Sequence, residues 1–129
     1  MKTYLNPDSL PRNPAFSQGI VVEAPAKTIY VGGQNGILAD GTMAGDTLAD
    51  QTRQALLNVQ AVLAAAGAKL TDVVRWTITV VEGQPLGAGF AAFQEAWGVV
   101  ADPPTISVQI VSGLANPRFL VEIDAIAAV

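Results

Sequence analysis

The chain has 129 residues, half of them hydrophobic, enough apolar material for one core, and it is read as a single domain over residues 1–129. It contains neither cysteine nor histidine, which excludes disulfides, thiolate nucleophiles, Cys/His metal centres and an imidazole base, so no metal and no cofactor are expected. Seven basic residues face eleven acidic ones for a net charge of −4, with no basic run, so nucleic acid is not an expected partner.

The opening stretch MKTYLNPDSLPRNPAFSQG lacks the continuous apolar segment of a secretory signal. No apolar run approaches the roughly 20 residues of a membrane span, so no membrane partner and a cytoplasmic location are expected. Within this stretch Asn6–Pro14 is a proline-punctuated, extended lead-in. Two strands are expected next, Ile20–Glu23 and Thr28–Val31, around an Ala-Pro-Ala-Lys turn. Gly33–Asp46 is a loop of Gly, Asn and Asp long enough to invite a functional role.

Thr47–Ala66 carries the strongest helical pattern. Leu48, Thr52, Ala55, Leu56, Val59, Val62, Leu63 and Ala66 recur at a spacing of 3–4 and form one stripe. Asp46 or Thr47 supplies the N-cap and Gly67 the C-cap. The stretch KLTDVVRWTITVVEG then alternates as a strand. Val74, Trp76, Ile78 and Val80 share one face, and Arg75, Thr77 and Thr79 the other. PLGAGFAAFQEAWGVV predicts a second helix with Phe90, Phe93, Ala96 and Trp97 as its buried stripe. A strand from Thr105 turns Ile106, Val108 and Ile110 to the core and Thr105, Ser107 and Gln109 away from it. After the loop SGLANPR, FLVEIDAIAAV forms the last strand. Phe119, Val121, Ile123 and Ala125 face one way, and Leu120, Glu122, Asp124 and Ile126 the other.

The order is ββαβαββ. Two helices of this size cover one sheet face only, which predicts an α+β fold with a mixed or antiparallel sheet and both helices on one side. The uncovered face carries Arg75, Thr77, Thr79, Thr105, Ser107, Gln109, Glu122 and Asp124, mostly short and uncharged. A freely wetted face usually holds more Lys and Glu. This one fits a half-buried interface between subunits with clefts between them, in a cyclic assembly; the alternative is a monomer with a wet sheet face.

The stretches AFSQGIVVEAPAKTIYVGGQNG, QTRQALLNVQAVLAAAGAKLTDVVRWTITV and PPTISVQI followed by VEIDAIA together resemble the RidA family. These are the reactive-intermediate deaminases, formerly YjgF or endoribonuclease L-PSP proteins. The resemblance runs from Pro14 to Ala127. It implies a chorismate-mutase-like (ferredoxin-like) fold and a homotrimer whose sheets form a central barrel, with helices outside. It further implies small-molecule sites in the clefts between subunits and hydrolysis of enamines and imines such as 2-aminoacrylate. In the family an arginine holds the substrate carboxylate and a glutamate near the C-terminus positions water.

Carried over position by position, the family's arginine falls on Thr105 and its tyrosine on Phe16. Its serine falls on Gly32, an asparagine on Phe90, and the terminal glutamate on Asp124; Gly33 and Gln34 match. Asp124, Thr105 and Gln34 are therefore the expected catalytic residues. Phe16, Gly32, Gly33, Asn35, Phe90, Ser107, Arg75 and Arg118 are expected to bind ligand.

Several of these positions also have plain structural readings. Arg75 fits an ion pair with Glu122, Arg118 a solvated surface charge, Asp124 a satisfied interface residue, GGQNG a turn, and Phe90 and Trp97 core packing. Without the arginine, 2-aminoacrylate deamination is expected to be weak or absent. The expected function is hydrolysis of an imine, enamine or related activated compound. The alternatives are a non-catalytic metabolite-binding protein, and the older ribonuclease or chaperone labels. A net-acidic chain without histidine argues against RNA cleavage.

Overall fold

The computed structural model describes residues 1–98 and 100–129. Eight elements carry the fold: β1 (Lys2–Leu5), β2 (Gly19–Val22), β3 (Thr28–Gln34), α1 (Leu48–Ala65), β4 (Val73–Val81), α2 (Leu86–Trp97), β5 (Thr105–Val111) and β6 (Val121–Ala128). A four-stranded sheet runs in the order β3-β6-β4-β5, and β1 and β2 pair separately. The β4–β5 pair is parallel, joined through α2; the β3–β6 and β4–β6 pairs are antiparallel. This is the expected α+β architecture with a mixed sheet.

α1 begins and ends where its caps dictate. Thr47 is extended, and its Oγ1 accepts the Asp50 N–H at 3.1 Å. At the other end Gly67 takes φ +73°, the left-handed conformation that glycine adopts without penalty. Its N–H reaches Ala64 O at 3.0 Å while the Ala68 N–H reaches Leu63 O at 2.9 Å, which satisfies the last carbonyls.

The inward stripe of α1 includes Leu48, Ala55, Leu56, Val59 and Leu63, all buried; Val62 stays exposed. These side chains and Phe93 of α2 cover the sheet face that carries Val31, Trp76, Val80, Val121, Ile123, Ala125 and Ala127. Trp76 is fully buried at the centre, with the rings of Phe93 and Trp97 edge-on to it at 5.4 and 5.5 Å.

Several expectations are corrected. The N-terminal KTYL is a strand, so β2 pairs with β1 rather than with β3 across the Ala-Pro-Ala-Lys turn. Val73, not Val74, enters the core, because the β4–β6 register shifts between Val73 and Arg75. α2 ends at Trp97, before Gly98 at φ +80°; of the residues expected to extend it, Val99 lies outside the described residues. Phe90 is not core: it is 49% exposed. Val108 and Ile110, each 58% exposed, are not covered either. β5 is the edge of the sheet, so its helix-side residues have packing on one flank only. Among the described residues no helix is long and apolar enough to cross a membrane.

Candidate functional site

The uncovered face is built from cross-strand rows. In the first, Thr105 of β5 stands opposite Arg75 of β4, which stands opposite Ile126 of β6. In the next, Ser107, Thr77 and Asp124 line up across the same strands, and beyond them Gln109, Thr79 and Glu122. The hydroxyls and the two carboxylates therefore share one surface, as period-2 alternation requires.

Arg75 is exposed, and its Nη2 donates to Ser107 Oγ at 3.1 Å. It makes no ion pair with Glu122: Arg75 and Glu122 belong to different rows, about 13 Å apart along the strands at 3.3 Å per residue. The Thr105 hydroxyl donates to Val74 O at 2.8 Å, which leaves only its lone pairs for a ligand. Asp124 is half-buried between Thr77 and the glycine bulge of β3. At that bulge a Cβ on Gly33 would lie 2.6 Å from Glu122 Cδ, so the glycine lets the glutamate side chain lie against the strand. Gly32 is open: a Cβ there would meet nothing within 4 Å.

Phe16 is placed by its neighbour. Ser17 is 2% exposed; its N–H donates to Pro104 O at 3.1 Å and its hydroxyl to Pro103 O. The N-terminal segment is thereby pinned to the residues that lead into Thr105. Phe16 lines a groove with Arg12, Asn13, Asp102 and Pro103. Nearby, the Tyr4 hydroxyl has its pKa raised, first by burial and then by the Asp102 charge. Phe90 stands between two hollows, one bounded by Val108 and the other by Ile106 and Trp97.

The expected site residues thus fall into two groups at opposite edges of the sheet. Thr105, Ser107, Phe16 and Phe90 gather at the β5 edge, with Arg75 on the neighbouring β4 hydrogen-bonded to Ser107. Gly32 and Gly33 lie on β3, about 14 Å away at three strand spacings, and Asp124 lies next to them on the inner strand β6, about 10 Å from β5 at two spacings. Three expected residues leave both groups. Asn35 is 9% exposed; its Nδ2 donates to Val121 O at 2.9 Å and its own carbonyl accepts Asn58 Nδ2 at 3.0 Å. Gln34 is in register with Ile123 of the covered face, and its Nε2 folds back to Gly32 O at 3.1 Å. Arg118 precedes β6 and pairs with Asp46 at 3.1 Å on an exposed surface, which agrees with its reading as a surface charge.

Sequence reasoning missed the side chains that hold the glycine-rich loop. Gln51, 1% exposed, donates to Gly45 O and Arg118 O at 3.1 Å each and accepts the Leu120 N–H at 2.9 Å. Asn58 Nδ2 also reaches Ile37 O at 2.9 Å. The only signal for Gln51 was a glutamine inside the apolar stripe of α1, between Leu48 and Thr52.

Residues 8–129 match the family model described as endoribonuclease L-PSP. A rat 2-iminobutanoate/2-iminopropanoate deaminase is 35% identical over 74 residues, 57% of this chain and 52% of the relative, so the match spans about half of that protein's length. The mitochondrial protein mmf1 of Schizosaccharomyces pombe is 32% identical over 130 residues, covering 98% of this chain and 75% of the relative. Among solved structures, a Rid-family protein of unknown function from Yersinia pestis superposes with a TM-score of 0.84 at 33% identity, covering 99% of this chain and 98% of that one. A match over nearly the whole sequence and the whole fold places this chain in the RidA/YjgF family, the endoribonuclease L-PSP proteins.

Proposed function

We propose that this chain hydrolyses an imine or enamine in a cleft completed by a second copy of itself. The division of the site residues between opposite sheet edges carries this reading. One protomer holds Thr105 and Ser107 about 14 Å from Gly32 and Gly33. Two copies that bring the β5 edge of one to the β3–β6 edge of the other close that gap. A cyclic repetition of the contact gives a homotrimeric barrel of the chorismate-mutase-like kind, with the polar face inside. The deaminase names of the relatives point to the same chemistry.

In this cleft Asp124 orients a water molecule and accepts its proton as the water oxygen bonds to the C=N carbon. The proton returns to nitrogen, which gives a carbinolamine. Asp124 then carries the hydroxyl proton to the amine nitrogen as C=O forms and the C–N bond breaks, releasing ammonia and a carbonyl product. Thr105 offers a neutral oxygen where a guanidinium would make paired, charge-assisted bonds. A lost hydrogen bond to a charged group costs about 1.5–3 kcal/mol, a factor of roughly 10–150. The protein is accordingly a weak 2-aminoacrylate deaminase whose preferred substrate presents no carboxylate at Thr105.

The test is decay of 2-aminoacrylate generated in situ, followed above the uncatalysed rate. Wild type is expected near background, Thr105→Arg at least tenfold faster, and Thr105→Arg/Asp124→Asn back at background. A Thr105→Arg protein as slow as wild type, or a double variant as fast as Thr105→Arg, overturns the assignment. The engagement of the Thr105 hydroxyl with Val74 favours a second reading, a cleft that binds a metabolite without turning it over. That reading requires ligand affinity that survives in Asp124→Asn and no turnover of any imine.

A further inference from the structure

Among the residues of β3, β4, β5 and β6, Arg75 is the one cation, and it stands on the uncovered face among hydroxyls. It lies on β4 directly opposite Thr105 of β5, and its guanidinium reaches along to the next row, where Nη2 donates to Ser107 Oγ at 3.1 Å. The side chain thereby turns toward β5. It turns away from Asp124, its diagonal neighbour on β6, about 7–8 Å off between Cα atoms. Among the described residues Arg75 enters no ion pair; the pairs present belong to Arg53 and Arg118.

Donors and acceptors are divided on this patch. A guanidinium has only N–H donors, and the others remain after one is given to Ser107. Because Ser107 Oγ accepts that bond, its own O–H stays available, with no acceptor among the described residues. Thr105 is the reverse: its proton goes to Val74 O at 2.8 Å, so it can only accept. Arg75 and Ser107 therefore present N–H and O–H groups suited to an anion, while Thr105 is suited to an N–H. Once a second copy closes over this face and water is displaced, a guanidinium without a counter-charge is costly.

We propose that Arg75, with Ser107, holds the substrate's carboxylate, and that the substrate is an imine or enamine whose carboxylate is set off from the C=N carbon by a short carbon spacer. The assignment rests on the hydrolysis proposed above and names the class of compound that reaction takes. Arg75 lies one strand spacing, about 4.8 Å, farther from the β5 edge than Thr105. 2-Aminoacrylate carries its carboxylate on the reacting carbon and falls short of that extra distance. The guanidinium leans back toward β5 and recovers part of it, and a spacer of about two carbons, at roughly 1.5 Å per bond, supplies the rest. The planar guanidinium then pairs with the carboxylate through charge-assisted bonds, and the substrate N–H faces Thr105 Oγ1.

The probe is 4-oxopentanoate, a stable ketone with its carboxylate two carbons from the carbonyl. It is compared with pyruvate, whose carboxylate sits on the carbonyl carbon, and with 2-pentanone, which has none. NMR of the full chain labelled at arginine follows the Nε–H signals, the Arg75 signal being assigned by its loss in Arg75→Lys. A saturable shift of that signal is expected with 4-oxopentanoate, at an affinity at least tenfold above that for pyruvate, and none with 2-pentanone. By calorimetry, Arg75→Gln should weaken binding at least tenfold and Ser107→Ala severalfold, while Arg75→Lys should recover part of the loss seen with glutamine. An unmoved Arg75 signal, equal affinity for pyruvate, the same shift with inorganic phosphate alone, or undiminished binding in Arg75→Gln overturns the proposal. An unmoved signal is also the result if a carboxylate of the second copy already occupies the guanidinium. Failure of the hydrolytic reading looks different. Binding lost in Arg75→Gln with no turnover of any imine upholds the anion site and removes the reaction, whereas a gain of 2-aminoacrylate decay in Thr105→Arg with an unmoved Arg75 signal removes the anion site alone.

Discussion

Gln51 is the residue whose removal should most expose how the loop side of the site is held. Gln51→Leu keeps a similar volume but deletes three hydrogen bonds, to Gly45 O, Arg118 O and the Leu120 N–H. Each such bond is worth about 1 kcal/mol net, and a partner stranded away from water costs more. All three bonds are part-buried rather than sealed, so water relieves some of the loss and the new leucine gains some apolar burial. The balance is a destabilisation of about 2–4 kcal/mol. At an unfolding entropy of about 2.1 cal/mol/K per residue, 3 kcal/mol lowers Tm by about 11 °C for a chain of 129 residues.

The assay is urea unfolding followed by tryptophan fluorescence, with Trp76 and Trp97 reporting from the core, at one fixed protein concentration because assembly shifts the midpoint. Gln51→Glu should cost at least as much at neutral pH, since a carboxylate oxygen would then face two carbonyls. Leu57→Ala, on the exposed side of the same helix, should stay within about 0.5 kcal/mol. A loss below 1 kcal/mol for Gln51→Leu would refute the view that this amide ties α1 to both loops.

The glycines separate by what surrounds them. Gly36→Ala drives a Cβ to 2.5 Å from the Gln51 backbone Cα and should cost about 1–3 kcal/mol, whereas Gly32→Ala meets nothing within 4 Å and should leave calorimetric stability unchanged. Arg118→Ala should cost under about 1 kcal/mol and leave ligand affinity untouched, since its pair with Asp46 is exposed on both sides; a tenfold loss of affinity would return Arg118 to the site. The Asp40 carboxyl is held below the ordinary carboxylate range by hydrogen bonds from the Thr42 side chain and backbone. Its contribution to folding is present above the ordinary range and fades as pH falls through the depressed value. Thr42→Val should move its NMR titration midpoint upward, and an unmoved midpoint would contradict the side-chain cause.

Much of this molecule is written locally in its sequence. α1 and its ends follow from a 3–4 stripe bounded by Thr47 and Gly67, both of which act within one turn of themselves. The alternation in β4 and β6 assigns Trp76, Ile123 and Asp124 to their faces because successive residues of a strand must point oppositely. From those faces and two helices, the α+β arrangement and the polar uncovered surface follow by area alone.

Strand neighbours are set by contacts between residues distant in the chain, and these the pattern does not carry. Only the tertiary structure decided that β2 pairs with β1, and that β5 is an edge that leaves Val108 and Ile110 uncovered. Tertiary contacts likewise turned the Asn35 amide into the core and gave Arg75 to Ser107 instead of Glu122. The same long-range pairing put Thr105 and Gly33 at opposite edges of one sheet. A site that spans both edges has no local signature, because its residues meet only where one surface of the fold closes on another.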